Sequence, residues 1–349
     1  MRRGLISWSK DELPETLLDG RVAALQAAMA GAGLDAIVAY TTPARAAAVS
    51  WLAGFVPYWN QGLMVVPRQG RPILVSALSN RVNGWMRRNA HVADVMNSPH
   101  IGSEAGKFLM SHAGKGNVGV VDLPHLPAVV IEDIAAEGHT IADASALFRA
   151  VRVVADPADI ALHERAAEIA RSALAACDPR ERDASRLVSR IDGEARRLGA
   201  EEVYPAVAVD LAKSFGMIRL EKAVELGDFS AIRISVAYKG AWVRLTKTMV
   251  RKDGVRSQID SAEKAFADLA AKLPDTSALA TNATWLVEGT RTALPLEPLA
   301  GSMIDDGEPI LPGSIVSVSA TLDVGGAPIM VGAPFLVGSP TRLLGSSQA

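Results

Sequence analysis

The sequence has a single cysteine among 349 residues, which excludes an internal disulfide and any metal cluster held by several thiolates. That residue, Cys177, ends an apolar helical stripe, and we expect it to serve packing. Neither sign of charge is in excess, because 36 basic and 38 acidic side chains give a net charge of −2. This balance excludes a broad positive surface, so we expect neither a nucleic-acid nor a membrane partner.

Long apolar runs are also missing, since none approaches the roughly 20 residues that cross a bilayer as a helix. The first residues are interrupted by Lys10, Asp11 and Glu12 and lack the apolar core of a secretion signal. These features predict a cytoplasmic protein.

Histidine is absent from the second half of the chain. All six histidines lie at or before His163. Imidazole is the usual proton shuttle and metal ligand near neutral pH. Any chemistry in the C-terminal half must therefore proceed without it.

The length and the composition predict a two-domain α/β protein, because the length suits two domains and 49% of the residues are hydrophobic. Strands alternate with helices up to Arg152, and Asp156 with Pro157 then forms a strong helix start. We predict domains over residues 1–153 and 154–349. Predicted elements of the second domain are strands 203–209, 230–236, 241–250, 314–322 and 328–337, and helices 258–272 and 282–294.

Residues 227–250 predict a β-hairpin. Apolar and polar side chains alternate on both sides of Lys239-Gly240, a dipeptide that suits a two-residue turn. With this turn, Arg233 lies opposite Thr246 on the partner strand.

The same register opposes Ser235 to Arg244, so that Arg233 and Arg244 share one face as diagonal neighbours, about 7–8 Å apart at the backbone. The other face is apolar except for Lys247, and we expect it to pack against helices. Arginine keeps its charge over the whole working pH range. If the arginine face is exposed, water screens the pair. If it is enclosed, the pair needs an anion: a protein carboxylate, a substrate carboxylate or a phosphate.

Several segments, in order along nearly the whole chain, are similar to those of a known group of proteins. They are AVSWLAGF (48–55), LMVVPRQGRPILVS (63–76), the junction 142–174, the hairpin 227–250, LPGSIVSVSA (311–320) and PIMVGAPFLV (328–337). The chain resembles the creatinase/prolidase/aminopeptidase P superfamily. This resemblance implies a creatinase-like N-terminal α/β domain followed by a shortened C-terminal domain with the pita-bread fold.

The resemblance also locates a lost metal site. Peptidases of this superfamily hold two divalent metals with two aspartates, one histidine and two glutamates. The aspartate positions fall on Arg233 and Arg244, the glutamate positions fall on Ser319 and Gly332, and no histidine is available. We therefore expect no metal, no cofactor and no metallopeptidase activity.

The same positions form a candidate anion- or substrate-binding site. Two arginines ringed by hydroxyl groups suit a small anion. We assign Arg233, Arg244, Thr246, Tyr238 and Ser319 to this site, and we assign no catalytic residue.

Three interpretations follow from the resemblance. The first is a pseudoenzyme that forms a homodimer or is the partner subunit of a catalytically intact paralogue. The second is a metal-independent hydrolase or lyase, like creatinase, that cleaves a C–N or similar bond of a small carboxylate-bearing substrate. Its acid–base work would fall to Tyr238 or to a carboxylate such as Asp210, Glu297 or Asp305. The third is that the alignment with the superfamily is out of register and that a metal site forms from other carboxylates, such as the clustered Asp305, Asp306 and Glu308.

Overall fold

The computed structural model describes residues 9–252, 254–275, 284–289, 302–303, 310–324 and 326–346. The chain divides into two compact units, one ending at Arg152 and the other beginning at Val153. Within the described residues, no helix combines the length and the apolarity needed to cross a bilayer.

The described residues form nine α-helices and fourteen β-strands. The helices are α1 (Glu15–Gly31), α2 (Ala47–Ala53), α3 (Asn83–Asn89), α4 (Ile101–Ala113), α5 (Ala128–Ala136), α6 (Ser145–Arg152), α7 (Pro157–Ala175), α8 (Ala184–Arg197) and α9 (Arg256–Ala270). The strands are β1 (Ala36–Thr41), β2 (Gly62–Pro67), β3 (Ile73–Ser76), β4 (Asp94–Asn97), β5 (Asn117–Val121), β6 (Thr140–Asp143), β7 (Glu202–Ala208), β8 (Phe229–Tyr238), β9 (Ala241–Val250), β10 (Thr284–Gly289), β11 (Ser302–Met303), β12 (Ile315–Val324), β13 (Ala327–Leu336) and β14 (Arg342–Leu343).

The N-terminal unit is a mixed six-stranded sheet with the order β4-β3-β2-β1-β5-β6. Strand β1 is antiparallel to β2 and parallel to β5. One apolar cluster joins the sheet to α1, α2, α3 and α6, and a second joins it to α4 and α5. Because both faces are covered, all six residues of β2 are buried.

The C-terminal unit is an eight-stranded sheet in which the order β11-β10-β12-β13-β9-β8-β7 is extended by β14 beside β13. Helices α7 and α8 pack on β8 and β9 through an apolar cluster that includes Ile232, Ile234 and Leu245. Helix α9 packs on β12 and β13, where the rings of Phe266 and Phe335 lie 5.8 Å apart. The predicted packing of the apolar hairpin face against helices is confirmed.

The start of α7 follows from local chemistry. The Asp156 side chain accepts a hydrogen bond from the Asp159 backbone N–H over 2.8 Å, and the Asp159 side chain accepts one from the Asp156 backbone N–H. Pro157 occupies the first turn, where a backbone N–H has no carbonyl partner within the helix, so that the proline breaks no hydrogen bond. Such a cap stabilises a helix by about 1 kcal/mol.

The β8–β9 hairpin has the predicted register. Lys239 and Gly240 both have positive φ, at 48° and 82°, as the predicted two-residue turn requires. Arg233 pairs with Thr246, and Ser235 pairs with Arg244. The two arginines therefore share a face, as predicted.

One predicted element is wrong. The helix expected over 282–294 is replaced, in its described part, by strand β10, which pairs antiparallel with β12. The segment carries Thr284, Trp285 and Val287, residue types that favour strands, and the edge of β12 offers backbone partners. A short apolar run of this kind does not separate helix from strand by its periodicity. The rest of that predicted helix lies outside the described residues.

Candidate functional site

Four positions that the sequence singled out lie in one row across the C-terminal sheet. Arg233 on β8 pairs with Thr246 on β9, Thr246 pairs with Gly332 on β13, and Gly332 pairs with Ser319 on β12. Since neighbouring strands lie about 4.8 Å apart, the row spans about 14 Å from Arg233 to Ser319. Arg244 is two residues from Thr246 on β9 and shares its face.

This face is partly enclosed. Arg244 is 8% exposed and Thr246 is 5% exposed, whereas Arg233 is half-buried. The Arg244 Nε donates a hydrogen bond to Ser235 Oγ over 3.2 Å. Bulk water is therefore excluded from much of the Arg244 guanidinium, so screening by water does not account for its charge.

Because Gly332 has no side chain, two hydroxyl groups occupy the space beside it. A Cβ atom at this position would lie 2.7 Å from Ser319 Oγ and 3.1 Å from Thr246 Oγ1. A larger side chain at 332 would therefore displace its neighbours. Thr246 Oγ1 is itself buried and has no hydrogen-bond partner among the described residues. A buried polar atom of this kind normally has a partner, often a bound molecule or water.

An aromatic pair stands on the same face, next to the arginines. Tyr204 on β7 pairs with Ser235, and its ring stacks on that of Trp242 at 5.9 Å and 26°. The Arg219 guanidinium carbon lies 5.3 Å from the centre of the Tyr204 ring. The sequence analysis missed these residues. The only local signal was that Trp242 precedes Arg244 by two positions and so shares its face.

Tyr238 does not join this site, which corrects its assignment. The alternation along β8 that directs Arg233 to one face directs Tyr238 to the other. There the tyrosine packs against the cluster under α7 and α8, and the Lys239 Nζ lies 5.6 Å from its ring centre. Of the five assigned residues, the structure brings Arg233, Arg244, Thr246 and Ser319 to one face.

The residues at these positions do not fit a divalent metal. They offer two guanidinium groups, one hydroxyl and a glycine, and cations of this kind require several oxygen or imidazole ligands. Among the described residues, no group of three or more His, Cys, Asp or Glu side chains is placed to hold a metal ion. The acidic candidates Glu297, Asp305, Asp306 and Glu308 lie outside the described residues.

Asp210, a candidate for acid–base work, is held in a local ion pair. Its carboxylate lies 2.9 Å from Lys213 Nζ. The hydrogen bond from Lys213 lowers the pKa of Asp210 below its usual value. A carboxyl group with a lowered pKa is a poor proton donor near neutral pH.

Comparison with known proteins gives the fold. No protein-family model matches the sequence, and no curated protein matches it. Solved structures do match along nearly the whole chain. A prolidase from Pyrococcus horikoshii OT3 shares 14% identity with a TM-score of 0.69, covering 94% of this chain and 99% of that one.

Two further solved structures agree. An X-Pro aminopeptidase from Thermotoga maritima MSB8 shares 15% identity with a TM-score of 0.72, covering 93% of this chain and 96% of that one. An Escherichia coli aminopeptidase P variant shares 14% identity with a TM-score of 0.67, covering 99% of this chain and 96% of that one. The chain therefore has the two-domain α/β architecture and the pita-bread fold of these peptidases, which confirms the fold expected from the resemblance.

Proposed function

We propose that this chain is a non-peptidase with the pita-bread fold, whose C-terminal unit holds a small anion where the peptidases hold metal. The observation that carries the proposal is the buried Arg244 guanidinium on the same sheet face as Arg233 and the unpartnered Thr246 hydroxyl. A bound carboxylate or phosphate accepts hydrogen bonds from all three groups.

The surroundings support a small ligand with a flat or apolar part. Ser319 Oγ stands beside Gly332 and extends the hydroxyl surface toward β12. The stacked Tyr204 and Trp242 rings offer an apolar wall on the arginine side. Anion binding by guanidinium and hydroxyl groups needs no imidazole, and no histidine follows His163 in the sequence.

We propose a partner role for the same chain. Binding without hydrolysis suits a pseudoenzyme that forms a homodimer or pairs with a catalytically intact paralogue. The fold shared with several Xaa-Pro peptidases supports descent from an active enzyme. The single cysteine supports a cytoplasmic location.

The proposal is tested by anion binding and metal content together. Succinate should raise the thermal unfolding temperature of the purified protein, and the shift should vanish in Arg244→Gln and Arg233→Gln. The matched variant Arg186→Gln, which changes an exposed arginine on α8, should keep the full shift. Elemental analysis should find no stoichiometric manganese, zinc, cobalt or iron.

Three results would count against the proposal. Equal shifts in all three variants would place anion binding elsewhere. One or two tightly held metal ions per chain would restore a metal-dependent site. Turnover of a carboxylate-bearing substrate by the chain alone would replace the pseudoenzyme with a metal-independent hydrolase or lyase.

A further inference from the structure

A second cavity lies on the other side of the C-terminal sheet, among the helices. It has a volume of about 530 Å³ and is bounded by the end of α7, the helix-facing side of β9 and the start of α9. The site of Arg233 and Arg244 is on the opposite face, so the two places are separated by the sheet itself.

Cations dominate the described lining of this cavity. Five basic residues face two acidic ones, Asp260 and Glu263. The basic residues are Arg180, Lys247, Arg251, Lys252 and Arg256. No ion pair within the described residues holds any of these five. Because the basic residues outnumber the acidic ones, the cavity lining has an excess of positive charge, and a bound anion reduces the repulsion among the basic groups.

Arg251 gives the cavity a buried donor. Its Nε donates to the Glu181 carbonyl over 2.8 Å, and its Nη1 donates to the Gly227 carbonyl and to Ser230 Oγ. Its Nη2 is buried and has no partner in the described part of the chain. The three neutral contacts fix the guanidinium in place, and its Nη2 group is left without a hydrogen-bond partner in the described part of the chain.

The start of α9 adds donors of a second kind. This 15-residue helix begins after Val255, which supplies no side-chain cap. Its first backbone N–H groups are therefore not capped, and Gly254 and Arg256 at this end line the cavity. A helix N-terminus carries a partial positive charge and favours anions, phosphate above all.

The remaining wall is apolar, with Leu174, Met249, Ile259 and the Cys177 thiol. The volume lies within the range of about 300–1,000 Å³ that is typical of small-molecule sites. We infer that this cavity binds an organic phosphate, with the phosphate at Arg251 and the α9 N-terminus and the organic part against the apolar wall. This inference is independent of the proposed function, since it concerns the other face of the sheet.

Calorimetry with ADP as the probe, and with adenosine and pyrophosphate as its two halves, tests the inference on the full chain. Lys247 and Arg180 are exposed, so Lys247→Gln and Arg180→Gln should leave folding intact. Each should weaken ADP binding about tenfold, the effect of losing one charge-assisted contact. The matched variant Lys222→Gln, exposed and outside the cavity, should bind ADP like the native chain.

The outcomes separate this cavity from the arginine face. Arg244→Gln should leave ADP affinity unchanged, and loss of ADP binding in that variant would overturn the assignment to the cavity. Absence of ADP binding to the native chain would overturn it outright, as would equal weakening by Lys222→Gln. Binding of pyrophosphate but not of ADP to Arg244→Gln would contradict the organic part of the ligand.

Discussion

Ser235 and Arg244 lie directly opposite each other on β8 and β9, and the Arg244 Nε donates a hydrogen bond to Ser235 Oγ over 3.2 Å. This cross-strand contact fixes a buried guanidinium along the sheet face, beside Arg233 and Thr246. The peptidase resemblance places an acidic metal ligand at position 244. In this chain the position carries a permanent positive charge.

Removing the Ser235 hydroxyl tests how that guanidinium is held. Ser235→Ala leaves Arg244 Nε buried without this partner, so we expect a loss of about 1–3 kcal/mol in the free energy of unfolding. Urea unfolding measures the loss. Ser257→Ala, at an exposed serine on α9, should change stability by less than about 0.5 kcal/mol. Equal effects in the two variants would mean that the contact contributes nothing specific.

Gly332 is predicted to tolerate no side chain. In Gly332→Ala the new Cβ would lie 2.7 Å from Ser319 Oγ, so the Ser319 side chain must move, and with Thr246 Oγ1 and the Val318 carbonyl both at 3.1 Å we expect a cost of about 1–3 kcal/mol. Gly193→Ala is the matched control, because a Cβ there meets nothing within 4 Å and the residue is exposed on α8. We expect that variant to gain up to about 1 kcal/mol. Thermal or urea unfolding of both variants measures the expected loss of stability in Gly332→Ala against the expected gain in Gly193→Ala.

Restoring aspartates should not restore a metal site. In the double variant Arg233→Asp with Arg244→Asp, positions 319 and 332 still supply only a hydroxyl and a glycine. We therefore expect no tight Mn²⁺ binding by calorimetry and no hydrolysis of a Xaa-Pro dipeptide. Tight Mn²⁺ binding by the double variant would show that ligands outside this row complete a site.

Cys177 provides a pH-dependent test. Burial raises the pKa of its thiol above the ordinary value, outweighing the nearby Arg190 and Lys247. Because the thiolate is the nucleophile, alkylation of the folded protein should be slow near neutral pH and should rise at higher pH than in the chain unfolded by guanidinium.

The same shift sets the sign of a stability change. The raised pKa means that the unfolded chain loses its thiol proton at a lower pH than the folded chain. The stability that the neutral, buried thiol contributes is therefore complete below the ordinary thiol pKa and is lost as pH rises through the folded value. Urea unfolding at increasing alkaline pH should show this loss in the native chain and a smaller one in Cys177→Ala. Equal pH dependence in both would contradict the raised pKa.

Local sequence signals predicted the parts of the fold that local forces decide. The Lys239-Gly240 turn and the alternation on both sides of it fixed the β8–β9 register, since a shift by one residue would reverse both faces. Asp156 and Pro157 likewise marked the start of α7, because a helix cap is formed by residues that are close together in the chain. These features depend on contacts between residues close together in the chain.

Errors arose where distant segments decide the outcome. The segment Thr284–Gly289 is a strand because β12 offers it an edge, which periodicity along the chain does not show. The assignment of Tyr238 followed the resemblance, although the alternation that places Arg233 on one face places Tyr238 on the other. Strands β4 and β6 were not predicted, because they are short edge strands with few buried residues.

Composition, alternation and turn chemistry by themselves determined that two arginines share one face of a hairpin and that no histidine follows His163. Only the tertiary structure decided that Arg244 is enclosed, that Gly332 lies between Thr246 and Ser319, and that five basic residues gather around a cavity behind the sheet. The physical reason is that burial and charge clustering depend on contacts between segments far apart in the chain, such as β9 with β13 and α7 with β9.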